Sequence, residues 1–446
     1  MKKTKKIATV AVSALGMIDG VFFLLPVFGE VLFYDLLPYW VAVQTAINAV
    51  LVGCLLKECI FLRNKNCWTY AAMVLPLFAF TADVFATANG NWIGGLVSQY
   101  VFFALFVVAL FVVHRINSLT YRRLTNLLWW VSIILTAAVY FTGATTNGAA
   151  RWISIAGFQF QPSEMLKITL IMYLANQLAK RQSTIREMQI VPSIMFWRWG
   201  SPKQRRIWRD GVRYIFAPIV LTCAVILPAH TSSAVLAFAI SLAMLFIGRV
   251  RWIEIWRVIQ WALVGATFVA VLGLGRSHTA GGRISTWIEL WTTNRTEIPV
   301  EDLSDTERSM IAIYNGGILG RGAGQSAVRV EMTHPESDYA FAFFVEEYGI
   351  GIAMILVALY VWIFFRAIEI FERCPKKFPA MLSLGVALLI TGQALLHIMV
   401  TVNIIPETGQ TLPLISRGGS SLLFTSIGLG MILSVSRQTE EGSHTE

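Results

Sequence analysis

Asp338 stands at the mouth of an apolar run. In THPESDYAFAFFVEEYGIG (333–351), His334, Glu336 and Asp338 lead straight into a segment long enough to cross a bilayer, and Glu346 and Glu347 follow inside it. A carboxylate in that place can cap a helix, where unpaired amides and the macrodipole favour negative charge. It is also placed to be a general base at the water–lipid boundary, because partial desolvation raises a carboxylate's pKa and so its appetite for a hydroxyl proton. The residues leave both readings open. Carboxylates within a span are costly and are functional candidates by default. Glu346 and Glu347 nonetheless read better as partners for Arg or Lys of neighbouring helices, supporting the span behind Asp338.

Cations come next. Arg151 follows TTNGAA, and Lys167 follows QPSEML, where Pro162 with Ser163 or Glu164 marks a helix start. Two cations near a helix N-terminus can hold a phosphate with help from free amides; they can equally be the snorkelling cations of an interfacial helix. Arg283, in GGRISTW, is a third candidate. GRGAGQS (320–326) resembles a nucleotide loop only in composition: no strand precedes it, so a flexible loop or an amide nest fits better. SRGGSS (416–421), with Ser420, reads as a helix start with close packing. The six histidines, 114, 230, 278, 334, 397 and 444, lack metal-ligand spacing, so no structural metal is expected.

The elements that position these groups are membrane spans. Of 446 residues, 56% are hydrophobic and only 14% charged, too little charge to cover a soluble globule of this size. The net charge of +10 falls between apolar segments, which points to anionic lipid headgroups and not to nucleic acid. The five cysteines form no CxxC pair, so neither a disulfide nor a ligand cluster is expected. With about 20 apolar residues needed per crossing, candidate spans are 7–28, 38–60, 68–87, 96–114, 124–142, 164–180, 212–229, 231–248, 255–275, 339–366, 380–401 and 418–436. MKKTKK with the apolar run behind it reads as an uncleaved first span. Every inner loop in this arrangement is basic, and the short outer loops near 29–37 and 88–95 lack Lys and Arg. Both termini are therefore expected in the cytoplasm. Three irregular segments, 145–167, 276–338 and 403–421, then share the outer face, where irregular backbone is tolerated if it lines a wet groove.

At this point the motifs resemble a known family. TTNGAARWI…FQFQPSE, NGGILGRGAGQS, the Asp-aromatic-Ala-Phe…EEYG run and PETGQTLPLISRGGSS look like the SEDS family (shape, elongation, division and sporulation), in order and over about 68–437. The last segment is more similar to division-type than to elongation-type members. The resemblance implies an all-α polytopic integral membrane protein. It would have a core of ten transmembrane helices (68–437), a large extracytoplasmic loop (276–338), a hydrophobic N-terminal extension of up to two more helices (1–67) and a cytoplasmic tail (438–446). It implies a peptidoglycan glycosyltransferase of the bacterial cytoplasmic membrane that polymerises lipid II, the undecaprenyl-diphosphate-linked disaccharide-peptide, into β-1,4 glycan. The family's essential aspartate falls on Asp338, and its functional Arg and Lys fall on Arg151 and Lys167. A class B penicillin-binding protein transpeptidase and other proteins of the division machinery are the implied partners, and Mg²⁺ or Mn²⁺ the implied cofactor. Departures exist: Glu336 and Ser337 occupy the positions where many members carry His-Thr, and PAHTSS (228–233) replaces a QPD-type acid.

The implied reaction suits these groups. A diphosphate leaving group needs charge neutralisation more than protonation, so cations can replace a general acid and one carboxylate base can suffice. Two other readings are a flippase that moves lipid II across the bilayer, which would call for polar residues within several spans, and a catalytically silent division scaffold.

Overall fold

The computed structural model describes residues 108–110, 112–142, 144–146, 149–155, 158–191, 201–271, 277–292, 303–322, 326–328, 332, 337–416 and 419–443. The expected spans at 7–28, 38–60 and 68–87, and most of 96–114, lie outside them. Four helices among the described residues are long and apolar enough to cross a membrane, by length and composition, and the protein is an integral membrane protein.

In chain order the helices are α1 (Ser118–Thr142), α2 (Pro162–Lys180), α3 (Pro202–Gly211), α4 (Ala217–Ile226), α5 (Thr231–Ile247), α6 (Trp252–Val271), α7 (Ser277–Thr292), α8 (Asp305–Gly316), α9 (Ala340–Arg373), α10 (Lys377–Thr401) and α11 (Gly419–Ser443). Between α1 and α2 lie three short strands, β1 (Ala144–Thr146), β2 (Ala149–Ile155) and β3 (Phe158–Phe160). They form an antiparallel sheet in the order β1-β2-β3, with Ile153 opposite Phe160 and a bulge at Ala144/Thr145. The sequence reading did not foresee this sheet. Three- and seven-residue strands leave too little alternation to detect.

Local signals set the helix boundaries. Pro162 opens α2 with Glu164 in its first turn, as expected from the sequence. Ser304 and Glu307 form a reciprocal capping box for α8, and Ser201 with Gln204 does the same for α3. The expected span at 212–229 is not continuous α-helix. A π-turn at Val212–Phe216 joins α3 to α4 just ahead of Pro218, where the missing N–H and the ring disturb the regular ladder. The segment 276–338, expected as a loop, contains α7 and α8.

The chain divides into two compact units. One holds 108–298, 358–410 and 418–446; the other holds 299–357 and 411–417 among its described parts. In the first, α2 is the central helix: every residue from Pro162 to Leu178 except Met165 is buried, against α1, α5 and α10. Buried hydroxyls link its helices, with Ser132 and Thr169 2.7 Å apart and Trp129 Nε1 donating to Thr222 at 3.1 Å. Contacts of this kind contribute on the order of 1 kcal/mol each in a membrane interior.

In the second unit, α9 is broken at Gly349, whose φ of 81° and ψ of 162° are accessible in practice to glycine alone. The 316–322 backbone lies along this break: Arg321 and Gly322 donate to the carbonyls of Glu346 and Glu347 at 2.9 and 3.0 Å, and Ile350 donates to Gly317 at 2.9 Å. That pairing gives this part of the glycine-rich stretch fixed backbone partners, where the sequence left a flexible loop or an amide nest open. Its glycines are needed for approach: a Cβ on Gly320 would stand 2.3 Å from the Glu347 carbonyl oxygen. A small core of Ala312, Val328, Met332, Tyr339 and Ala342 closes the unit.

Candidate functional site

Asp338 lies just before α9 and is half-buried. Ser337 Oγ donates to its Oδ1 at 3.1 Å, and the Ser337 carbonyl accepts from Ser416 Oγ at 2.8 Å, which in turn receives the Leu412 N–H at 2.8 Å. The 411–416 segment therefore pins the turn that carries Asp338, while Tyr339 Oη meets Thr306 Oγ1 at 3.0 Å on α8. His334 and Glu336 lie outside the described residues.

Behind this turn, Glu346 and Glu347 are 0% and 1% exposed. Glu346 Oε1 accepts the Ala327 N–H at 3.2 Å and faces Arg321 at 3.8 Å, and Ser326 Oγ donates to its other oxygen. The cation partner is thus Arg321, between α8 and α9, and not a residue of a neighbouring helix as the sequence reading expected. Through these contacts Glu346 ties Ser326 and Ala327 to α9.

The other unit contains a cavity of about 290 Å³. Its polar lining includes Arg151 from β2, Arg283 from α7, His230 and Ser232 at the start of α5, and Glu407 and Thr408 from the segment after α10; Val235, Ile284, Leu396 and Ile405 supply apolar wall. Four chain segments distant in sequence converge here, and polar contacts fix the arrangement. Arg151 Nε donates to the Ala229 carbonyl at 3.0 Å. Arg283 lies 3.6 Å from Glu407 Oε1, and Trp287 Nε1 on the same helix donates to the Asn403 carbonyl at 3.2 Å.

His230 is the hub. It caps α5 by accepting the Ser233 N–H on Nδ1 at 3.1 Å, where Gln410 Nε2 also donates at 3.1 Å, and its Nε2 donates to the Gly409 carbonyl at 3.2 Å. Burial, reinforced by the charges of Arg151 and Lys167, pushes its pKa down to about 3 despite the opposing bond to Gly409. The ring is therefore neutral at physiological pH, and its bonding fixes the tautomer with the proton on Nε2.

Arg151 and Arg283, two of the sequence candidates, thus share one cavity. Lys167 is not among its lining residues. Its Nζ is buried 2.9 Å from Glu164 Oε1 and 3.0 Å from Gln393 Oε1, so its charge reaches the cavity through space. Ser420, fully buried, accepts the Gln161 N–H at 3.1 Å and fastens the start of α11 to the start of α2.

With this geometry in hand, comparison with known proteins gives the family. The model of the FtsW/RodA/SpoVE cell cycle proteins matches residues 61–441. The chain belongs to this family. Relatives within it include the probable peptidoglycan glycosyltransferase FtsW of Aliivibrio salmonicida, 26% identical over 76% of this chain and 78% of its own. Stage V sporulation protein E of Bacillus subtilis is 26% identical over 76% of this chain and 86% of its own. Among solved structures, the fold matches a chain of a peptidoglycan synthase complex that coordinates polymerization and crosslinking, at TM-score 0.62 and 21% identity over 83% of this chain and 97% of that one. It also matches the rod shape determining protein RodA of Thermus thermophilus, at TM-score 0.55 and 21% identity over 84% of this chain and 96% of that one. Membership accounts for the order of the motifs along the chain. His230, Glu407 and Thr408 were not singled out from the sequence. The available signal was positional: His230 precedes TSS in the place of a helix cap, and PETG (406–409) lies shortly after α10.

Proposed function

We propose that this protein is a peptidoglycan glycosyltransferase that polymerises lipid II into β-1,4 glycan at the outer face of the bacterial cytoplasmic membrane. The observation that carries the reading is the family match over residues 61–441, within which relatives bear that activity in their names. Asp338 takes the proton from the acceptor sugar's 4-hydroxyl, the oxygen forms a bond to the donor's anomeric carbon, and the bond from that carbon to the diphosphate breaks. The diphosphate leaves with the electron pair and needs no proton, because cations receive it. Arg151 and Arg283 meet its oxygens; Lys167 adds charge from behind, held by Glu164 and Gln393. Glu346, Glu347 and Ser420 keep the supporting backbone in place. A positioned base contributes roughly 10²–10⁴ in rate, with orientation and electrostatics supplying the rest.

The family resemblance implies Mg²⁺ or Mn²⁺. Among the described residues no group of three or more His, Cys, Asp or Glu converges as a metal cage. Among these residues the donor set does not fit a protein-built site, and no step is assigned to a metal. The same reading places the protein at the division septum, beside a class B penicillin-binding protein transpeptidase, with both termini in the cytoplasm.

The test is purified protein in vesicles with labelled lipid II, with and without the transpeptidase. Glycan made by the wild type and lost in Asp338→Asn is the expected result. Lipid II translocated without polymer would replace the enzyme with a flippase, and silence in both assays with the transpeptidase present would leave a scaffold.

A further inference from the structure

The cavity that holds Arg151 and Arg283 also contains a carboxylate, which an anion site has no evident use for. Glu407 Oε1 stands 3.6 Å from Arg283, and the Arg283 guanidinium is 3.5 Å from the Glu407 carbonyl oxygen. Both side chains are about one-third exposed, at 33% and 34%. A long, part-hydrated pair of this kind is weak and readily exchanged. One residue on, Thr408 Oγ1 is buried and has no hydrogen-bond partner among the described residues. A hydroxyl shut away from water without a partner is costly, and Thr408 lines the same cavity. Its backbone is not loose: the Thr408 carbonyl accepts from Ser232 and the Gly409 carbonyl from His230. The His230 anchor thus holds an unpartnered hydroxyl and an exchangeable ion pair side by side.

We infer that Glu407 is an internal competitor for the cavity's anion. It occupies Arg283 when no ligand is bound and yields it to the oxygens of an entering diphosphate, to which the Thr408 hydroxyl donates. The inference deepens the proposed function and rests on the reading of this cavity as the diphosphate site. It gives Glu407 a role in release. A carboxylate one bond-length shift away from Arg283 recaptures the cation as the lipid diphosphate departs, which keeps the product from remaining bound.

Isothermal titration of the full-length protein in detergent with inorganic pyrophosphate, at low and at physiological salt, tests this. Glu407→Gln is expected to tighten pyrophosphate binding roughly fivefold, the scale set by a part-exposed ion pair together with one fewer like charge. Glu407→Asp shortens the arm and is expected to tighten it by less, and Thr408→Val to weaken it several-fold. Melting temperatures near the wild-type value verify that each variant is folded, and the aspartate variant answers the question if the glutamine one is not. Binding that Arg151→Gln weakens but neither Glu407 variant strengthens would overturn the inference and leave the anion site standing. Binding that is unchanged in Arg151→Gln and Arg283→Gln alike would overturn the site itself.

Discussion

Replacing Lys167 with methionine separates two roles that its position allows. Its ammonium is 1% exposed, 2.9 Å from a Glu164 oxygen that is itself on an 11% exposed side chain. At an effective dielectric near 20, two unit charges at that separation attract by about 6 kcal/mol, and desolvation of both takes back most of it. Removing one member is a different matter, because the survivor stays buried without compensation. Lys167→Met is therefore expected to destabilise the protein by about 3–5 kcal/mol, and Glu164→Gln by a similar amount, while the double variant recovers most of the loss. The assay is thermal unfolding in detergent, run beside polymerisation of labelled lipid II. If Lys167 acts on the diphosphate through its charge, the double variant regains stability but not activity. If its role is only to neutralise Glu164, both return together. A Lys167→Met protein that melts with the wild type would refute the reasoning, since the ion pair would then be worth nothing.

Three further outcomes follow from other parts of the molecule. Asp338→Asn is expected to lower the polymerisation rate by roughly 10²–10⁴ with little change in melting temperature, because a half-buried carboxylate at a turn carries chemistry more than packing; an active variant would remove the base from the mechanism. His230, with its pKa pushed down to about 3, refuses a proton that the unfolded chain accepts near its ordinary value of 6.5. Stability should therefore fall as pH drops from about 6.5 toward 3, by up to about 1.4 kcal/mol per unit, and His230→Gln should flatten that slope in a detergent melting series. Gly349→Ala is expected to cost about 1–3 kcal/mol in backbone strain alone, with more from a Cβ standing 2.3 Å from the Ile318 carbonyl oxygen, read as lost thermal stability or lost expression.

What the sequence disclosed and what it withheld divide along physical lines. The apolar runs at 124–142, 164–180, 231–248, 380–401 and 418–436 read directly, because burial in lipid demands a length and a composition that neighbouring residues alone decide. Pro162 and Glu164 located the start of α2 for the same local reason. The capping box at Ser304 and Glu307 is equally local and marks the start of α8, inside a segment whose polar composition reads as loop. The cavity was of another kind. Arg151 and Arg283 are separated by more than a hundred residues, and nothing in either motif says that β2 and α7 turn toward the same space. The spacing of His230 speaks only against a metal; its use is to hold the 408–410 segment, a function that spacing along one chain cannot display. Lys167 shows the reverse failure. Its place after QPSEML suggested an open cation, but Glu164 lies three residues earlier on the same helix face, and that separation already predicts an ion pair across one turn. A charge beside a motif should be offered to its own helix before it is offered to a ligand, and for Lys167 the helix has the prior claim.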